Sequence, residues 1–122
     1  IGSIAGLRGL PYSPAYCASK AGLKAMGEAM RAKLRPHGVS VTLASVGFVA
    51  TPLDNSIVSA KPFRMTPERA AGRIAAAIAA GRAHVAFPFP LAAAARLLAL
   101  LPPQLGDAVL RRFSVTSRKS DG

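Results

Sequence analysis

One segment of the 122-residue chain constrains the fold most: a long helical stretch followed at once by a turn and a strand. Residues 14–35 are rich in Ala, Lys, Leu, Met and Glu, which favour helices, and Pro14 suits a first helical turn. Pro36 and Gly38 mark the helix end, and residues 39–45 alternate β-branched and polar side chains as strands do. A helix, a tight turn and a strand form half of a parallel α/β crossover, so the sequence predicts an α/β fold.

Loops and a second helix follow from the same rules. Residues 3–13 are rich in Gly, Pro and Ser, and residues 47–64 contain several turn-forming pairs, so both segments are predicted to be loops. The spacing of the glycines in the first loop matches neither the dinucleotide-binding fingerprint nor the P-loop, and we interpret them as turn residues. Thr66 and Pro67 predict a helix start, and Gly81 ends that helix.

The C-terminal part is predicted to hold a short strand and two helices. Residues 83–87 form the strand, residues 91–101 and 104–113 the helices, and residues 114–122 a frayed tail. Only two clear strands are thus recognised, fewer than a sheet covered on both faces needs. Together with the start at Ile1 and a mean hydropathy of +0.32, this leads us to expect a fragment of a larger fold.

Composition excludes several classes of protein. The 51% of hydrophobic residues exclude a disordered chain, and one cysteine excludes a disulfide framework and the multi-cysteine zinc modules, so a reducing compartment is expected. The apolar stretch at 83–101 is interrupted by Pro88 and Pro90 and carries Arg96, so it is not a membrane span.

The net charge of +11 invites a nucleic-acid interpretation, which the charge distribution disfavours. Basic residues are spread from Arg8 to Lys119, and no aromatic residues interleave with them. We interpret them as a solvated basic surface and expect no nucleic acid, while a phosphate-bearing ligand or partner stays an alternative. The leucine-rich tail with Arg96 and Arg111 either contacts an anionic membrane peripherally or covers a pocket or an oligomer interface.

Tyr16 and Lys20 are the residues best suited to proton chemistry. Four positions apart on the predicted helix, they share one face. An ammonium group close to a phenol favours the phenolate, and such a phenol can exchange a proton with a carbonyl or alcohol oxygen. Ser3, in the loop before the helix, could hydrogen-bond the same oxygen. Spacing alone equally fits an exposed Tyr–Lys pair without function.

Three motifs in order add to this pattern: Ser3-Ile-Ala-Gly6, Tyr16-Cys-Ala-Ser-Lys20-Ala-Gly-Leu23 and Gly47-Phe-Val-Ala-Thr51-Pro52. With Ser3 thirteen residues before Tyr16, the chain resembles the short-chain dehydrogenase/reductase family from residue 1 to about residue 87. The resemblance implies an NAD(P)-dependent oxidoreductase that acts on an alcohol or ketone, for which an apolar substrate is expected from the leucine-rich tail.

The resemblance assigns roles to individual residues. Tyr16 would be the catalytic acid and base and would also contact the cofactor. Lys20 would favour the Tyr16 phenolate and bind the nicotinamide ribose, and Ser3 would orient the substrate oxygen. The residues expected to lie against the nicotinamide of NAD or NADP are Gly47, Val49 and Thr51. Val46 stands where the family has proline, which frees the backbone of this loop.

The resemblance also implies an architecture. Residues 1–89 would form the C-terminal, catalytic half of a Rossmann-type doubly wound parallel sheet, and residues 90–113 a helical extension. The N-terminal cofactor-binding strands would precede residue 1, so the chain alone is expected to be inactive. The 14–35 helix would mediate a homo-oligomer, and a non-catalytic half-domain that dimerises with a full-length relative is the alternative. A cytoplasmic, and alternatively membrane-peripheral, location is expected.

Several further residues have weaker signals. Cys17 is predicted to be a small buried helix residue rather than a redox-sensitive thiol. His37 and His84 lack partners at metal-ligand spacing, so no metal site is predicted. Residues that could line a substrate entrance, or equally pack in the core, are Tyr12, Phe48, Phe63 and Met65.

Overall fold

A computed structural model describes residues 1–52, 61 and 63–118, with side chains described as far as residue 112. Its elements are β1 (Gly2–Ser3), a 3-10 helix (Ile4–Gly6), α1 (Pro14–Leu34), a second 3-10 helix (Arg35–His37), β2 (Leu43–Val46), α2 (Pro67–Ala79), β3 (His84–Phe87), α3 (Phe89–Leu100) and α4 (Pro103–Arg118). The three strands form one parallel sheet in the order β1-β2-β3. The predicted α/β class with a parallel, Rossmann-type sheet is confirmed.

Both helices predicted with clear start and stop signals are confirmed. The α1 helix has Pro14 in its first turn, and the chain leaves the following 3-10 turn through Gly38 at φ 73°. The α2 helix is capped by Thr66, whose hydroxyl oxygen accepts a hydrogen bond from the Arg69 amide at 3.3 Å. It is followed by Gly81 at φ 66°, a conformation that glycine adopts without strain.

The strands differ from their predicted positions. The alternation at 39–45 predicts a strand there, but β2 begins only at Leu43 because its neighbour β3 begins opposite it, at His84. The β1 strand was missed, since it has two residues and cannot show an alternating pattern. It pairs Gly2 with Ser45 and Ser3 with Val46.

Helices cover both faces of β2, and all four of its residues are buried. On one face, a core cluster joins the sheet to α2 through Ala44, Val46, Ala70 and Phe87. On the other face, Leu43 lies against α1, where a Cβ on Gly27 would come within 3.3 Å of the Leu43 Cδ1. The two crossover helices therefore pack on opposite sides of the sheet.

The α4 helix continues to Arg118, within the segment 114–122 that the sequence predicts to be a frayed tail. No Gly or Pro occurs between Gly106 and Arg118, so nothing in the sequence stops the helix there. Residues 119–122 lie outside the described part of the chain. Across the described residues, no helix combines the length and the apolar character needed to cross a membrane.

Candidate active site

The carboxyl ends of the three strands meet at one edge of the sheet. Ser3 ends β1, Val46 ends β2 and Phe87 ends β3, and the register pairs Ser3 with Val46 and Val46 with Phe87. In open parallel sheets, ligands bind in the crevice beyond this edge. The residues that follow the strands, including Gly47, are therefore placed where a binding site is expected.

Ser3 is held by a hydrogen bond within its own turn. Its Oγ accepts from the Ala5 amide at 3.1 Å and caps the 3-10 helix. A serine hydroxyl has one proton to donate and two lone pairs. Since the cap uses only one lone pair, the proton stays available for the oxygen of a ligand.

Tyr16 and Lys20 share one face of α1, as predicted. The Lys20 Nζ lies 5.6 Å from the centre of the Tyr16 ring, within the range of a cation–π contact. Tyr16 is 46% exposed, so its phenol is accessible to a ligand. The structure thus brings the ammonium group and the phenol together in the first turns of α1.

Gly6 allows the loop that follows Ser3 to pack closely against α1. A Cβ at Gly6 would lie only 2.7 Å from the Lys20 carbonyl oxygen and 3.1 Å from the Ala21 amide nitrogen. Because both atoms belong to the backbone, only glycine permits this close approach. Gly6 was interpreted from the sequence as a turn residue, and its positioning role was missed. The sequence feature that could have indicated this role is the position of the glycine, three residues after the candidate serine.

Gly47 continues the sheet beyond the end of β2. Its amide donates a hydrogen bond to the Phe87 carbonyl at 2.9 Å. A Cβ at this position would lie 2.8 Å from the Pro88 Cδ and 3.3 Å from the Leu91 Cδ2. The missing side chain of Gly47 therefore permits Pro88 and Leu91 to pack closely against it. The Gly47 amide already donates its hydrogen bond to Phe87.

The segment after Gly47 is anchored to Met65 by a parallel bridge. The Ala50 amide donates to the Met65 carbonyl at 2.9 Å, and the Met65 amide donates to the Phe48 carbonyl at 3.0 Å. In such a bridge the central residue, Val49, points its own amide and carbonyl to the opposite side. Those groups form a donor and acceptor pair that matches a carboxamide, and Thr51 follows two residues later. The backbone thus fits a nicotinamide.

Among the secondary candidates, Cys17 is buried, as predicted, and its sulfur accepts a hydrogen bond from the Leu10 amide at 3.3 Å. Tyr12 and Phe63 are exposed. Partial burial raises the pKa of the Tyr12 phenol, and Cys17 acts in the same direction. Phe48 is half-buried. Within the described residues, no three His, Cys, Asp or Glu side chains come together as metal ligands would.

A cavity of about 890 Å³ lies beside this region, next to the C-terminal helices for which the sequence offers the covering of a pocket as one alternative. It is bounded by residues 5–11, the first turns of α1, and residues of α3 and α4. Ser3, Tyr16 and Lys20 do not line it. This cavity is therefore adjacent to the candidate catalytic residues but does not include them.

Comparison with known proteins supports the motifs. Residues 1–62 match the model of a family described as short chain dehydrogenase. An uncharacterized oxidoreductase of Myxococcus xanthus is 40% identical over 113 residues, which cover 93% of this chain and 45% of that protein. One from Mycobacterium tuberculosis is 35% identical over 120 residues, covering 93% and 44%.

A third similar protein is human 17-beta-hydroxysteroid dehydrogenase type 1, which is 44% identical over 50 residues, or 41% of this chain and 15% of that protein. The chain spans less than half the length of these relatives. No solved structure matches the chain.

Proposed function

Because this chain belongs to the short-chain dehydrogenase/reductase family, we propose that it carries the catalytic residues of an oxidoreductase that transfers a hydride between NAD or NADP and an alcohol or ketone. The observation that supports the proposal best is the Lys20 ammonium 5.6 Å from the Tyr16 ring, on a helix packed through Gly6 against the Ser3 loop. This arrangement gathers an acid–base group, a cation and a hydroxyl donor.

Each of these side chains has a task in the proposal. The Tyr16 phenol donates a proton to the substrate oxygen in reduction and accepts it in oxidation. Lys20 places a positive charge 5.6 Å from the centre of the Tyr16 ring and donates a charge-assisted hydrogen bond to the nicotinamide ribose. The Ser3 hydroxyl donates a hydrogen bond to the same substrate oxygen as negative charge develops there. The nicotinamide, when bound, gives or accepts the hydride.

The loop after β2 is proposed to hold the cofactor. The outward-facing amide and carbonyl of Val49 would bind the carboxamide together with the Thr51 hydroxyl. Gly47 would contribute by its missing side chain, since its amide is bonded to Phe87. Fixed donors and acceptors on a strand end lower the entropic cost of orienting the ring.

Lys20→Met tests the proposed role of Lys20 in turnover and cofactor binding. Lys33→Met, near the end of the same helix, is the control. The assay is NAD(P)H-dependent ketone reduction by the polypeptide that carries this chain, together with the cofactor dissociation constant. We expect Lys20→Met to lower turnover and weaken cofactor binding by about tenfold or more, because a charge-assisted hydrogen bond is lost. Lys33→Met leaves both unchanged. Equal values for the two variants contradict the proposal.

An apolar substrate is proposed from the side chains near the cofactor loop. Phe48, Met65 and the exposed Phe63 contribute apolar surface there. If they contact the substrate, kcat/KM for a series of alkyl ketones rises by about fourfold per added methylene until the surface is filled. A series in which kcat/KM does not depend on chain length contradicts the proposal.

An oligomer through α1 is the second proposal, and it also supports a non-catalytic alternative in which the chain pairs with a full-length relative. Met26 and Met30 are 54% and 42% exposed on this helix, beside exposed small residues at Ala18, Gly22, Ala25 and Ala29. Sedimentation of the wild type and of Met26→Glu, which measures the oligomeric state of each, tests whether α1 mediates an oligomer. Dimers that Met26→Glu separates support pairing, and a wild-type monomer contradicts it.

A membrane-peripheral location is proposed from α3, as the alternative to a cytoplasmic one that the single free Cys17 favours. Phe89, Leu97 and Leu100 are 76%, 64% and 81% exposed on this helix, in a chain of net charge +11. Sedimentation with anionic vesicles tests the contact. Binding that added salt reduces supports it, and equal binding to neutral vesicles contradicts the electrostatic part.

A further inference from the structure

A second cluster of polar side chains lies on the face of the sheet that packs against α1. Ser45, in β2, is only 2% exposed, and its Oγ lies 2.8 Å from the Nε2 of His84, the first residue of β3. The other ring nitrogen, Nδ1, lies 3.1 Å from a guanidinium nitrogen of Arg96 in α3. One buried hydroxyl thereby fixes the imidazole, and the imidazole fixes the guanidinium group.

The chemistry of arginine determines the proton positions. A guanidinium group can only donate hydrogen bonds, so the His84 Nδ1 must accept. The ring is therefore neutral with its proton on Nε2, and it donates to the Ser45 oxygen. In this tautomer His84 cannot take a proton from Ser45, so the pair is not an activated nucleophile. Its effect is to orient Arg96.

Arg96 faces a cavity of about 430 Å³, whose lining residues are Leu7, Lys24, Glu28, His84, Arg96, Ala99 and Leu100. Lys24 bonds Glu28 at 2.6 Å. In the described part of the chain, Arg96 has its one hydrogen bond to the neutral His84 and no carboxylate within 4.0 Å. A guanidinium group has five N–H donors, so most of those on Arg96 are left for another acceptor.

We infer that this cavity binds a small amphiphilic anion, with its carboxylate or phosphate head on Arg96 and Lys24 and its apolar part against Leu7, Ala99 and Leu100. Two cations and one carboxylate line the cavity, and the apolar residues occupy the rest of its wall. The oriented guanidinium group supplies paired donors for an oxyanion. Ser3, Tyr16 and Lys20 do not line this cavity, so the inference is independent of the proposed oxidoreductase function.

The charges around His84 affect its pKa. Burial is the largest cause of its lowered pKa, and Arg96, Lys24 and Arg31 lower it further, whereas Glu28 raises it. An anion between Arg96 and Lys24 adds a negative charge beside the ring and so raises the pKa of His84. The His84 imidazole is therefore a reporter of an anion bound between Arg96 and Lys24.

Three probes test the inference: hexanoate has an anionic head and an apolar part, inorganic phosphate has only the anionic group, and hexanol has only the apolar part with a neutral head. Each is titrated, at constant ionic strength, into the polypeptide that carries this chain. The imidazole NMR signal that is lost in His84→Gln identifies His84, and the signal that is lost in His37→Gln identifies His37, which serves as the internal reference. We expect hexanoate to shift the His84 signal saturably, phosphate to bind more weakly, and hexanol to give no saturable shift. Equal shifts of both histidines, or equal binding of hexanol and hexanoate, overturn the inference.

Variants with opposite expected effects sharpen the test. Arg96→Gln weakens hexanoate binding about tenfold or more, because the charged donor is lost. Arg69→Gln, an exposed arginine on α2, is the matched control and changes nothing. Glu28→Gln removes the competing carboxylate and frees Lys24, so binding tightens about threefold. Since damage to the fold cannot tighten binding, unchanged or weaker binding by Glu28→Gln overturns the inference even if Arg96→Gln unfolds.

Discussion

Two polar clusters lie on this small sheet, and they differ in what positions them. Ser3, Tyr16 and Lys20, at the carboxyl edge, are positioned by backbone contacts, above all the close approach of Gly6 to Lys20. Ser45, His84 and Arg96, on the face of the sheet that packs against α1, are positioned by side-chain hydrogen bonds to one another. The first arrangement leaves the proposed catalytic side chains available to a ligand, whereas the second uses two groups to orient a third.

The comparison predicts that the carboxyl edge is sensitive to added volume. In Gly6→Ala the new methyl group meets the Lys20 backbone at 2.7 Å, so α1 or the loop must move. We expect a loss of about 2–3 kcal/mol in the free energy of unfolding, the largest effect in this series. Urea titration followed by circular dichroism measures it.

Gly22→Ala is the matched control on α1. A Cβ there has no heavy atom within 4 Å, so the substitution stabilises the helix by about 0.5–1 kcal/mol. If Gly6→Ala is as well tolerated as Gly22→Ala, the backbone contact does not position Tyr16 and Lys20 relative to the Ser3 loop.

The other cluster is instead predicted to be sensitive to a lost hydrogen bond. Ser45→Ala leaves the His84 Nε2 proton without an acceptor in a partly buried position, which costs about 1–2 kcal/mol of unfolding free energy. Ser19→Ala, which removes an exposed hydroxyl on α1, stays within about 0.5 kcal/mol. Urea titrations of both variants measure the difference, and equal effects would show that the Ser45–His84 bond contributes nothing.

The smallest expected effect is a pH dependence of stability that His84 causes. Its folded-state pKa lies below the ordinary value of 6.5, so between the two values the unfolded chain binds a proton that the folded chain does not. Stability therefore decreases as pH falls through this window, and it is fully present above it. Melting temperatures between about pH 7 and pH 5 show the decrease, and His84→Gln reduces it. A wild-type decrease that His84→Gln leaves intact contradicts this assignment.

Sequence reasoning succeeded where the signal was local. Pro14, Gly38, Thr66 and Gly81 are start and stop residues, and they placed α1 and α2 to within one residue. The Tyr16 and Lys20 spacing likewise predicted a shared helix face, which the structure shows. These features depend on interactions between residues that are close in the sequence, so they can be predicted from a single sequence.

The missed features depend on partners far apart in the sequence. The start of β2 is set by its pairing with β3, about forty residues later. Ser45, His84 and Arg96 carry no shared motif, and only the packing of three elements brings them together. Gly6 is similar, because its role depends on the Lys20 carbonyl.

The central claim, that Tyr16 is the proton donor at the carboxyl edge, is tested most directly by Tyr16→Phe. Tyr12→Phe is the control, since Tyr12 is the other tyrosine of the chain. In the polypeptide that carries this chain, Tyr16→Phe is predicted to lower ketone reduction by about 10²–10⁴-fold while the NAD(P) dissociation constant stays unchanged. Tyr12→Phe leaves both quantities unchanged. Wild-type turnover by Tyr16→Phe would contradict the account.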